Sequence, residues 1–142
     1  GYDISNYFVE NAKKHNFNAI KSNLHEYNID IACDAIIISR SLYQFKDVLD
    51  SFFKNLLKCS KNIIICESLN SFGNSKNKFF RMVAQYLTHS GDSDHVYRYN
   101  ENTILKDIDH LCNKYKLIVK RQIISKDKRK NIFLHLQNTL NN

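Results

Sequence analysis

Two short, uninterrupted apolar runs constrain the fold of this chain most: Asp34-Ala35-Ile36-Ile37-Ile38-Ser39 and Asn62-Ile63-Ile64-Ile65-Cys66-Glu67. Each is too short for a helix, is rich in β-branched residues, and is apolar at successive rather than alternate positions. That pattern predicts strands buried on both faces, as in a parallel sheet. Between them, residues 45–58 place Val48, Leu49, Phe52, Phe53, Leu56 and Leu57 on one stripe at helical spacing. Strand, amphipathic helix and strand in succession predict an α/β chain, with a mostly parallel sheet flanked by helices.

The remaining segments fit that layering. Helical periodicity covers residues 5–15, 75–88 and 101–115, the last with Ile104, Leu105, Ile108, Leu111 and Cys112 directed inward. A short strand is expected over 17–21, followed by a polar connection over 22–33. Residues 116–125 and 131–137 read as strands joined by a turn that fits an antiparallel hairpin and is far too short for a parallel crossover. The 142 residues show no repeat or linker and read as a single domain over 1–142.

No apolar run approaches the ~20 residues needed to span a bilayer, so no membrane role is expected. Cys33, Cys59, Cys66 and Cys112 contain no C-x-x-C pair and read as reduced core thiols, which predicts a cytoplasmic protein. The net charge of +7 raises nucleic acid as a partner. From Leu111 onward there are eight Lys or Arg and one acid, concentrated at Lys126-Asp127-Lys128-Arg129-Lys130, where a solvated hairpin turn explains them better.

The opening Gly1-Tyr2-Asp3-Ile4-Ser5 places an acid at a predicted strand end, directly before a helix with Ser5 at its N-cap. In an open α/β sheet a carboxylate there can accept hydrogen bonds from both hydroxyls of a nucleotide ribose. The bland alternative is a helix N-terminal acid favoured by the macrodipole. No initiator Met and no strand with a Gly-rich turn precede Asp3, so the chain reads as the later part of a domain.

Together these motifs resemble the class I S-adenosylmethionine-dependent methyltransferases. The resemblance rests on the Gly-x-Asp-x-Ser opening with Ala12-Lys13 later in the helix. It continues through the run 34–39, Leu42-x-x-Phe45-x-Asp47 entering the next helix, the run 62–67 and the closing hairpin. It implies a Rossmann-like sheet in the order 3-2-1-4-5-7-6 with strand 7 antiparallel. Here the first strand and its Gly-rich motif are lacking, and that strand would lie between strands 2 and 4.

The resemblance implies S-adenosyl-L-methionine as cofactor and a methyl transfer to a small-molecule acceptor. It assigns Asp3 to the ribose and Ile4 to the adenine face. Asn23 stands where the family commonly has an acid for the adenine amino group, and the backbone of Leu24 would meet the adenine ring. Ser39 and Arg40 end the fourth strand, where the methyl-transfer centre is expected; Arg40 would hold the cofactor carboxylate or an acidic substrate, or serve only as a solvated loop residue. The Asn/Asp-Pro-Pro-Tyr/Phe motif of many amide and exocyclic-amine methyltransferases is absent. Tyr43, Glu67 and His95 are expected on the substrate side, though Tyr43 also suits core packing. Candidate bases are His25, His89, His95 and Glu67, or none. Tyr97-Arg98-Tyr99-Asn100 resembles a segment that closes over substrate. Asp92, Asp94 and His95 have only a loose metal-ligand spacing, and no metal is expected.

Two rival functions stay open. Asp after a second strand also binds the ribose of NAD, but none of the eight tyrosines has Lys four positions later, as short-chain reductases do. A non-catalytic domain of the same fold, serving as an RNA-binding scaffold, would suit the basic hairpin.

Overall fold

The computed structural model describes residues 1–24, 31–69, 97–125 and 130–139. Two sheets form. The smaller joins β1 (Tyr2–Asp3) in parallel to β2 (Ile20–Lys21), with helix α1 (Asn6–Lys14) as the crossover between them. The larger contains β3 (Ile36–Ser39), β4 (Asn62–Ser68), β5 (Leu117–Ile124) and β6 (Asn131–Asn138), in the order β3-β4-β6-β5. Strand β3 runs parallel to β4, while β6 is antiparallel to both β4 and β5. Helix α2 (Leu49–Cys59) connects β3 to β4, and α3 (Glu101–Tyr115) leads into β5.

Within each sheet the strand order is the expected one. Both β1 and β3 present an edge that no strand pairs with among the described residues, and the same cleft touches both edges. An unpaired edge exposes a row of N–H and C=O groups.

The core lies on one face of the larger sheet. Ile38, Ile63, Ile65, Ile132, Leu134 and Leu136 pack against Phe52, Phe53 and Leu56 of α2 and Ile104, Ile108 and Leu111 of α3. This arrangement corrects the expectation of strands buried on both faces. Ile37 is 68% exposed and Phe133 42% exposed, because no described element covers the opposite face. Only one cysteine, Cys59, is buried; Cys66 and Cys112 are half-buried and Cys33 is exposed, and all four are free thiols.

Helix α3 starts and ends where its sequence directs. Asn100 accepts the Thr103 N–H through its side chain, Thr103 Oγ1 accepts the Asn100 N–H, and Lys116 closes the helix in the left-handed conformation. The helix expected over 45–58 instead begins as a 3₁₀ segment (Leu42–Val48) before continuing as α2. Ser5 occupies the N-cap position of α1 but its side chain makes no cap bond. Among the described residues no helix is long and apolar enough to cross a membrane. The helix expected over 75–88 and the turn over 126–129 lie outside the described residues.

Candidate functional site

The site is built where parallel strands end. Asp3 terminates β1, and its Oδ1 accepts the Ser5 N–H at 2.7 Å. This Asx-type turn fixes the N–H of the N-cap residue itself, a different donor from the first-turn N–H groups that a Ser5 side-chain cap would serve. Oδ2 of Asp3 has no partner among the described residues. The β1–β2 register sets Asp3 opposite Lys21, and the Ser22 N–H donates to the Asp3 carbonyl at 3.0 Å. Asn23 and Leu24 therefore leave β2 beside Asp3 and Ile4.

Strand β3 ends at Ser39, paired with Cys66. Arg40 then turns the chain with φ 53, in the left-handed region, while its N–H donates to the Cys66 carbonyl at 2.7 Å. Such a conformation costs a non-glycine residue roughly 1–2 kcal/mol. Tyr43 follows on the 3₁₀ segment, with the Arg98 guanidinium 3.8 Å from its ring centroid.

One cleft of about 1130 Å³ is lined by Asp3, Ile4, Asn23, Leu24, Ser39, Arg40 and Tyr43. Seven residues expected around a nucleoside and its reacting end are thus brought together. Pockets for ligands commonly run to about 300–1,000 Å³, so the space is ample. Ile20, Ile36, Ile37 and Ile38 add apolar wall, and Cys33 and Gln44, which the motifs did not mark, also line it.

Glu67 is not among the cleft-lining residues. It is 3% exposed, and Oε2 accepts the Leu42 N–H at 3.0 Å while Oε1 accepts the Ser68 N–H at 3.2 Å. Burial raises its carboxyl to about pKa 7, partly opposed by N–H donors from Ser68, Leu42 and Tyr43 and by the Arg98 charge. Burial likewise raises the Cys66 thiol, with Arg40 opposing and Glu67 reinforcing. His95, His25 and His89 lie outside the described residues, as do Asp92 and Asp94. Among the described residues no cluster of His, Cys, Asp and Glu could hold a metal.

The segment 97–100, expected to close over substrate, is an anchor: none of its residues is among those lining the cleft. Tyr99 is fully buried and its hydroxyl donates to Asp107 at 2.9 Å, while Lys46 of the 3₁₀ segment pairs with the same carboxylate. Burial and that carboxylate hold the Tyr99 phenol well above its usual range. Arg98, next in sequence, is thereby held over Tyr43.

The chain superposes on DhpI, solved as a complex with SAM and HEP, with a TM-score of 0.61 at 8% identity over 96% of this chain and 66% of DhpI. Against LepI in complex with SAM the values are 0.60 and 10%, over 96% of this chain and 35% of LepI. Against the mitomycin 7-O-methyltransferase MmcR they are 0.58 and 12%, over 91% and 37% respectively. The fold is that of the class I methyltransferases. The chain spans 66% of the length of DhpI and 35% and 37% of the other two. No protein-family model and no curated protein matches the sequence. In this methyltransferase fold, β1 and β2 take the places of the second and third strands. Strands β3, β4, β5 and β6 stand as the fourth, fifth, sixth and seventh.

Proposed function

We propose that the cleft binds S-adenosyl-L-methionine and that the protein transfers a methyl group to a small-molecule acceptor. The observation that carries this reading is Asp3: a carboxylate at the end of a parallel strand, with one oxygen unpartnered among the described residues, in a cleft shared with residues 23, 24, 39, 40 and 43. The donor set suits the group. Asp3 accepts the ribose hydroxyls, each charge-assisted bond contributing about 1.5–3 kcal/mol. Ile4 packs on the adenine, the Asn23 amide oxygen accepts from its amino group, and the Leu24 N–H meets the ring.

When bound, the cofactor supplies an electrophilic methyl on a sulfonium. The protein's part is alignment and exclusion of water, worth more here than covalent assistance. Ser39 and Arg40 define the reacting end, with Arg40 offering a fixed positive charge to a carboxylate. Tyr43, backed by Arg98, forms the substrate-side wall. MmcR is named for O-methylation of mitomycin, which supports a small-molecule acceptor. Fold alone does not fix function, so binding must decide.

Isothermal titration of the full-length protein with S-adenosylhomocysteine is expected to show saturable binding. Asp3→Ala is expected to weaken it by roughly 10- to 150-fold, the equivalent of one charge-assisted bond. Because Asp3 Oδ1 also accepts the Ser5 N–H, the same variant should stay folded with a stability loss of about 0.5–1.5 kcal/mol, which does not account for a binding loss of that size. Binding of NAD with none of S-adenosylhomocysteine would overturn the reading.

A further inference from the structure

A buried carboxylate that does not line the cleft bonds the main chain beside one of its walls. Leu42 is the first residue of the 3₁₀ segment, so its N–H has no partner within that helix. Ser41 holds the N-cap position and makes no side-chain cap bond. Glu67, on the neighbouring strand and 25 residues away, supplies the acceptor instead, through Oε2 at 3.0 Å. The dipole of the Tyr43 N–H also favours the charge on this carboxylate. Two residues before Leu42 the Arg40 N–H is fixed to the Cys66 carbonyl at 2.7 Å, with Arg40 in the left-handed region. Two adjacent residues of β4 therefore tie down both sides of the turn. Strained backbone of this kind persists only where its surroundings over-determine it.

We infer that Glu67 is the positioning residue of this wall: it sets the main chain at Leu42 and Tyr43, and through it the places of Arg40 and Tyr43 in the cleft. The inference rests on the nucleoside-binding reading of that cleft. A residue needed only to fill the core at this place would be apolar, since an unpaired buried carboxylate is costly. Here both oxygens accept backbone N–H groups. The charged and titratable groups around Glu67 among the described residues are Arg98 and Tyr99 from the segment entering α3, Cys66 on its own strand, and Arg40, whose charge acts on Cys66. The carboxyl oxygens accept these N–H groups, while burial makes the folded protein favour the protonated form.

The test combines S-adenosylhomocysteine titrations between about pH 6 and about pH 8.5 with amide hydrogen exchange at Leu42 and Tyr43, on the wild type and Glu67→Gln. The variant should bind about tenfold more weakly than the wild type, and any pH step that Glu67 gives the wild type over this range should be absent from it. Equal affinities and superimposable pH profiles overturn the inference. If neither protein binds at any pH, the nucleoside reading fails and exchange decides the positioning role alone. Faster exchange at Leu42 and Tyr43 in the variant supports it, and unchanged rates overturn it. Should the variant not fold, the wild-type amides suffice: because burial makes the closed turn favour the protonated carboxyl, protection, corrected for intrinsic exchange, falls as pH rises through about 7 if opening of the turn releases Glu67, and stays flat if Glu67 does not hold it.

Discussion

Replacing Glu67 by Gln should change how stability responds to pH, by an amount the structure sets. The carboxyl titrates near 4.5 when unfolded and is raised to about 7 when folded, chiefly by burial. The folded protein thus retains a proton that the unfolded chain has already lost. That preference contributes stability fully present below about pH 4.5, and the contribution is lost as pH rises through about 7. A difference of roughly 2.5 pKa units at 1.36 kcal/mol each makes the loss about 3 kcal/mol. Gln cannot titrate, so any fixed cost of the substitution is the same at every pH. Urea unfolding of both proteins from about pH 4.5 to about pH 8.5 isolates the difference, with wild-type stability falling relative to the variant by about 3 kcal/mol. At a slope of about 1–3 kcal/mol/M this is a relative midpoint shift of roughly 1–3 M, well within measurement. Parallel pH profiles, or a wild type that gains on the variant as pH rises, would refute the assignment of a buried, proton-retaining carboxyl.

Three further substitutions test neighbouring parts of the account. Tyr99→Phe removes the hydroxyl that donates to Asp107 and should destabilise by about 1 kcal/mol in chemical denaturation. Asn100→Ala abolishes the capping box of α3 and should likewise lower unfolding free energy by about 1 kcal/mol, most visibly as faster amide exchange in the first turn. Arg40→Gly should raise the thermal midpoint by relieving about 1 kcal/mol of left-handed strain, while weakening S-adenosylhomocysteine binding through the lost guanidinium. A variant that is neither stabilised nor weaker in binding would count against both roles.

The sequence was most informative where local chemistry decides the structure. Helix α3 runs over the residues its periodicity marks, because Asn100, Thr103 and Lys116 start and stop it from within a few positions. The closing hairpin and the parallel β3–β4 pair are likewise where the apolar runs place them. Legibility failed where the deciding contact was distant or absent. The 3₁₀ segment is capped by Glu67, 25 residues away, which no local pattern at Ser41 announces. Ile37 reads as core but stands exposed, since burial depends on what covers a face and not on the strand itself. In the cleft, Asp3, Asn23, Ser39 and Arg40 were legible because strand ends in a parallel sheet converge on one rim. Glu67 ends such a strand too, yet it is drawn inward by the Leu42 and Ser68 N–H groups. The stacking of Arg98 on Tyr43 needed the fold, because it joins segments 55 residues apart.

The central claim is that Asp3 faces a bound nucleoside. A crystal structure of the full-length protein with S-adenosylhomocysteine tests it most directly. The account predicts both ribose hydroxyls within hydrogen-bond distance of the Asp3 carboxylate, with the adenine between Ile4 and Leu24. A ligand seated elsewhere, or one that leaves Asp3 turned into solvent, would contradict it.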